Sequence, residues 1–143
     1  MIRHLLLPCC LALLAGSLHA QDSTAADRAR LQGEWRLVLA SANGQTIETP
    51  PPGTRHVAGD TVTVTINDQL FLQAIFTLDP GMTPKHIDYD VIGGPMHGTQ
   101  ISGIYKLEGN RFTVCMGGPG ASRPDDFVAR DGEPGSCTVW EKQ

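Results

Sequence analysis

Positive charge is thinly spread along this chain: 11 Lys and Arg stand against 15 Asp and Glu, for a formal charge of −4. Arg28, Arg30, Arg36, Arg55, Lys85, Lys106, Arg111, Arg123, Arg130 and Lys142 are scattered. No dense basic patch forms, which argues against nucleic acid as a partner. Cysteines number 4, with no CxxC pair and no histidine cluster beside them, so the pattern of a structural zinc site is missing. Catalytic signatures are missing as well: there is no nucleophile elbow, phosphate loop or His-Glu-x-x-His helix. Gly117-Gly118-Pro119-Gly120 follows a strand, but no helix opens after it and no lysine accompanies it, so it reads as a rim loop.

What is present begins with a leader. Met1-Ile2-Arg3-His4 is a short basic start, Leu5 to Gly16 is apolar apart from Pro8, and Ser17-Leu18-His19-Ala20 puts a small residue before a cut. This is the pattern of a secretory signal peptide over residues 1–20, too short for a permanent anchor. Cys9 and Cys10 raise a lipoprotein alternative, but Pro8 is the wrong neighbour for that cut and too few residues precede it. Cleavage near Ala20 removes Arg3 and no acid, making the chain one unit more negative. The rest, 21–143, has the length of one domain with one core, in a secreted or periplasmic setting. Only Cys115 and Cys137 survive cleavage, and two cysteines in an oxidising compartment are most simply one disulfide, worth roughly 3 kcal/mol. The rival reading is two free or metal-binding thiols.

Ser23 or Thr24 can cap a short helix through Ala25 to Leu31, one too short to persist unless docked. From Gly33 onward the texture is all-β, with short alternating segments punctuated by Gly, Pro and Asn. Trp35, Leu37 and Leu39 share one face of a first strand; Val62, Val64 and Ile66 alternate with Thr61, Thr63 and Thr65 in another. Asn67-Asp68 suits a two-residue hairpin turn. In the run from Gln69 to Asp79, Leu70, Leu72, Phe76 and Leu78 fall on one face and Phe71 and Ile75 on the other, as in a strand covered on both sides. Ile87, Tyr89 and Val91 form the apolar face of the next strand. Thr99 to Glu108 and Arg111 to Met116 meet across Gly109-Asn110, and Ser136 to Glu141 closes the chain. Pro50-Pro51-Pro52-Gly53 reads as a stiff connector. Successive hairpins without a long crossover imply an all-β, antiparallel up-and-down barrel of about seven or eight strands, whose closure removes exposed edges.

Gly33-Glu34-Trp35 resembles the Gly-x-Trp start of lipocalins, where the tryptophan plugs the barrel floor. The arginine that lipocalins stack over it near the last strand has no counterpart, since this chain ends its last strand in Lys142. Five ordered features extend the likeness: Leu31-Gln32-Gly33-Glu34-Trp35, Thr61-Val62-Thr63-Val64, Asp79-Pro80 through Thr83-Pro84-Lys85-His86-Ile87-Asp88, Gly103-Ile104-Tyr105, and Cys115 with Arg123-Pro124. On them, about Leu31 to Trp140 resembles the planctomycete-type lipocalin-like domains, small secreted bacterial domains without an established activity. The resemblance implies a fold and an exported setting and carries over no catalytic residue.

Several residues could carry chemistry. His86, Asp88 and Asp90 share the polar face of one strand and are of types suited to a metal or to acid-base work. Same-face neighbours there are roughly 6.6 to 7 Å apart, however, and two are short aspartates, so a plain solvent face is the better reading. His56 and His97 lie in loops beside Gly or Pro and would share a site only if a barrel mouth gathered them. Arg123, ahead of Pro124-Asp125-Asp126-Phe127, could hold an anionic ligand at the rim; the plainer reading pairs it with Asp125 or a nearby carboxylate while Phe127 anchors in the core.

The expected function is a non-enzymatic binding module for a small apolar or amphipathic ligand, with no cofactor. Its cavity would be lined by Trp35, Leu72, Phe76, Tyr89, Tyr105 and Phe112. With only 4 Phe, 2 Trp and 2 Tyr in a short chain, the alternative is a filled barrel acting through its surface as an interaction or structural module in the envelope. Neither reading involves stable membrane insertion after leader removal. Intact-mass measurement on protein recovered from an exporting host is expected to give a chain starting at Gln21. A lipid-modified cysteine or a retained leader would overturn that processing.

Overall fold

A computed structural model describes the backbone of residues 15–143 and the side chains of residues 21–143. The expected leader, with Cys9 and Cys10, lies outside the residues whose side chains are described. Helix α1 (Ala15–Leu31) is followed by strands β1 (Gly33–Ala42), β2 (Gln45–Ile47), β3 (Gly53–Ala58), β4 (Thr61–Ile66), β5 (Gln69–Asp79), β6 (Lys85–Gly93), β7 (Gln100–Glu108), β8 (Arg111–Met116) and β9 (Ser136–Lys142). Every neighbouring pair is antiparallel. The short β2 pairs only with the end of β1, and β1 also pairs with β9, so the other eight strands close into the expected up-and-down barrel. Among the described residues no helix is long and apolar enough to cross a membrane.

Local chemistry explains the hairpins. Asn67 and Asp68 both take positive φ, 51° and 61°, as a mirror-image two-residue turn requires, and Asn43-Gly44 does the same between β1 and β2. Two strands are not legible in the sequence: β2, which is three exposed residues, and β3, which follows the triple proline and carries His56 on a strand rather than in a loop. The helix also starts earlier than expected. Ser23 and Thr24 lie inside it, because no proline or glycine between residues 17 and 31 interrupts the alanine-rich run.

Three bulges correct the simple alternation. Where Leu37 pairs with Trp140 and Leu39 with Val139, Val38 is extra. The phase shifts by one, so Ala40 and Ala42 rather than Leu39 line the interior. In β5, Val64 faces Leu72 and Thr65 faces Leu70, which leaves Phe71 as the extra residue. Leu70, expected inside, is therefore exposed, while Phe71 turns to the barrel mouth. The shift between β5 and β6 makes Ile92 extra. Beyond the bulge Leu72, Ala74, Phe76 and Leu78 are buried, but Ile75 is exposed, so β5 is covered on its inner face only.

The helix plugs one end of the barrel, and its C-terminus shows how. A helix leaves its last four carbonyls without intrahelical partners. Here all four are met: Gln32 donates through Nε2 to Arg28 O (3.1 Å) and through its backbone N to Ala29 O (3.3 Å). Lys142 Nζ donates to Arg30 O (2.8 Å) and Trp35 Nε1 to Leu31 O (2.9 Å). The Lys142 ammonium also lies 5.0 Å from the centre of the Trp35 ring, occupying the place over that tryptophan. Asp27 is 6% exposed; its Oδ2 accepts from Tyr105 Oη (2.7 Å) and Lys85 Nζ (2.8 Å). Burial, and then the hydrogen bond to Asp27, hold the Tyr105 hydroxyl neutral well above its ordinary pKa of 10.0.

Cys115 and Cys137 face each other across β8 and β9 and are joined, S–S 2.06 Å, at a separation of 22 residues. The bond clamps both ends of the β8–β9 connection, residues 117–135, which folds back over the outer wall. There Phe127 covers Ile104 and the two cysteines, an outer cluster separate from the barrel interior in which its sequence context suggested an anchor.

Without reductant both cysteines should resist thiol labelling, and replacing both by alanine should cost roughly 3 kcal/mol in urea unfolding; quantitative labelling of the folded protein would refute the bond. The raised Tyr105 pKa stabilises the fold fully below pH 10, and that contribution fades as pH climbs above it, because the unfolded chain ionises first. Tyr105→Phe should therefore cost about 1–3 kcal/mol at pH 8 and lose less further stability than the parent between pH 8 and 11.

Candidate ligand-binding cavity

The barrel interior divides into a packed half and an empty half. Next to the helix, the Phe112 ring lies 5.9 Å from Trp35 and 6.1 Å from Tyr105, centre to centre. Leu31, Val57, Val62, Phe76 and Ile87 fill around them, and the void left between these side chains is only about 10 Å³. Four of the expected cavity residues, Trp35, Phe76, Tyr105 and Phe112, are thus floor packing. Leu72 and Tyr89 do line an open cavity.

That cavity measures about 660 Å³ and opens at the end away from the helix. Its walls are apolar, with Leu37, Val64, Leu72, Ile101 and Val114 prominent. Space arises because small residues stand where large ones would fill: Ala40 and Ala42 after the β1 bulge, and Gly117, Gly118 and Gly135 at the rim. Gly135 has φ 111°, and a Cβ there would meet Met116 O at 2.2 Å, so a side chain is barred. At the mouth Ile47 and Phe71 are 51% and 49% exposed, an apolar lip.

No protein-family model, curated protein or solved structure matches this chain. Its own geometry therefore carries the reading.

At the bottom of the cavity sits Arg55, 5% exposed, on β3 between Trp35 and Val64 of the flanking strands. Its guanidinium carbon lies 4.7 Å from the Trp140 ring centre and 5.2 Å from that of Phe112. Nη1 donates to Tyr89 Oη at 2.7 Å. Nε is buried without a hydrogen bond, and among the described residues Arg55 forms no salt bridge. Among the described residues Arg55 is the one charged side chain lining the cavity.

In the sequence Arg55 looks like one of several scattered cations. Its signal is the phase of β3: Gly53, Arg55 and Val57 alternate with Thr54, His56 and Ala58, and the first set is buried. An arginine in the inward phase of a strand is the anomaly, but it is visible only once β3 is recognised.

The other candidates lie elsewhere. Arg123 is on the outer wall, where Nη1 donates to Gly103 O (2.7 Å) and Ile87 O (3.3 Å) and Nη2 to Asp88 Oδ1 (2.8 Å). It straps the β8–β9 connection to β6 and β7, and does not line the cavity. Of the strand trio, Asp88 is held by Arg123, His86 is half-buried and Asp90 is exposed; among the described residues no group of three such side chains is placed to hold a metal ion. His56 Nδ1 lies 2.8 Å from Glu34 Oε1 on the barrel exterior, and His97 is in the β6–β7 loop, so the two are not gathered at one site. Nearby on the connection, Arg130 holds both oxygens of Asp126, which lowers that carboxyl's pKa below its ordinary value.

Proposed function

We propose that this barrel is an exported, non-enzymatic binding module for a small apolar or amphipathic ligand, akin to the planctomycete-type lipocalin-like domains its motifs resemble. The observation that carries this reading is the cavity of about 660 Å³, inside the roughly 300–1,000 Å³ span of small-molecule sites and apolar-walled as they are. A filled barrel would have left voids like the one in the floor, too small for any ligand. The apolar lip at Ile47 and Phe71 supports entry of a ligand from that end. Exported proteins commonly carry disulfides, and the Cys115–Cys137 bond supports that setting.

A second reading rests on the outer face of β5 and β6, where Leu70, Ile75 and Ile92 are exposed. Apolar groups so placed suit a protein partner in the envelope.

A neutral probe separates the two. N-phenyl-1-naphthylamine should brighten on adding the protein, and Ala40→Trp, which drives an indole into the cavity, should weaken its binding tenfold or more with the far-UV spectrum unchanged. Native mass spectrometry of protein taken from its own periplasm should show an adduct that the variant lacks. Absence of probe binding, or binding indifferent to Ala40→Trp, would refute the carrier reading.

A further inference from the structure

Two charged side chains among the described residues are buried, and they are treated oppositely. Asp27, in the floor, has a cation and a hydroxyl on the same oxygen. Arg55, in the cavity, has one neutral hydroxyl, two ring faces and an Nε with nothing. A buried charge is tolerated when it is paired and hydrogen-bonded. The protein has 15 acidic residues, yet none lines this cavity. The missing partner is an anion that the chain does not supply.

The surroundings define what would supply it. A guanidinium is a permanent cation whose fork of donors matches a carboxylate or similar oxyanion. Tyr89 accepts from Arg55 through its oxygen, which leaves its own O–H to donate, and among the described residues no acceptor takes that proton. Arg55 and Tyr89 thus offer donors side by side at the bottom of an apolar shaft. Arg55 Cζ lies over the rings of Trp140 and Phe112, which pack against the guanidinium before any ligand arrives. Above it, Leu72, Ile101 and Val114 line the path to the lip.

We infer that the ligand is an amphipathic anion, with a carboxylate-class head bound by Arg55 and Tyr89 at the cavity floor and an apolar body extending toward the mouth. This rests on the proposed carrier function and adds the charge and the orientation. A neutral ligand of the same shape, even one whose oxygen accepts a hydrogen bond, would leave the guanidinium charge unpaired. An anion entering head-first completes it, and the dry walls strengthen that contact.

Competition against N-phenyl-1-naphthylamine tests the point at pH 8, with dodecanoate and dodecan-1-ol below their micelle or solubility limits. The acid should displace the probe at a concentration at least tenfold lower than the alcohol. In Arg55→Met that ratio should collapse to within about twofold, and Arg55→Lys should restore part of it. Tyr89→Phe should reduce the ratio less than Arg55→Met does. Equal competition by acid and alcohol in the parent protein would overturn the inference while leaving the carrier reading intact, and it does so even if Arg55→Met fails to fold. Failure of the probe itself to bind would remove both. Retention of the acid's advantage in a folded Arg55→Met would show that another group holds the head, and so overturn the role of Arg55.

Discussion

Along the seam between β1 and β9, Trp35 to Ala42 pairs with Lys142 to Ser136, and this join converts a sheet with two edges into a barrel with an inside. Position in the seam fixes the neighbours of the side chains that matter most. Lys142 is brought opposite Trp35, so its ammonium covers that ring and reaches Arg30 O in the helix. Trp140 is brought opposite Leu37 and beside Phe112, where it backs the guanidinium of Arg55. On the other side of β1, Trp35 faces Arg55. One row of cross-strand partners therefore runs from the plug at the floor to the charged base of the cavity.

Closure alone would leave both ends open. The helix decides between them, because its four free carbonyls find donors only at the end built from Trp35, Gln32 and Lys142. Asp27 enters the barrel with it and is met there by the Lys85 ammonium and the Tyr105 hydroxyl. At the opposite end the bulge at Val38 brings small alanines inward and the rim glycines add no volume, so the same wall encloses empty space. A barrel with eight strands and few large rings can fill one half of its interior; placing those rings at the floor leaves the other half open.

Much of the fold is legible in the chain. Alternation names the inner faces of β4 and β6, Asn67-Asp68 and Gly109-Asn110 mark the turns, and the short helix plainly needs a docking site. Legibility ends where one residue is inserted into a ladder. A strict period of two puts Leu39 and Leu70 inside and Phe71 outside, and bulges at Val38 and Phe71 interrupt that period. It ends again at β3, where the preceding prolines and the opening glycine look like a connector, and with that strand goes Arg55. For Arg123 the sequence offers a rim ligand contact or, more plainly, a nearby carboxylate, and the fold gives it Asp88 together with two carbonyls.

By itself the sequence determined the class of fold, the inner face of most strands, the turn residues and the pair of cysteines that meet. These are local properties, set by side-chain alternation and by which residues accept a left-handed backbone. The tertiary structure decided which end is sealed, how much of the interior is empty, and that Arg55 stands in that space without a countercharge. Those outcomes depend on the register between strands distant in the chain, since only the neighbours across a ladder determine where a bulge falls and what a buried charge touches.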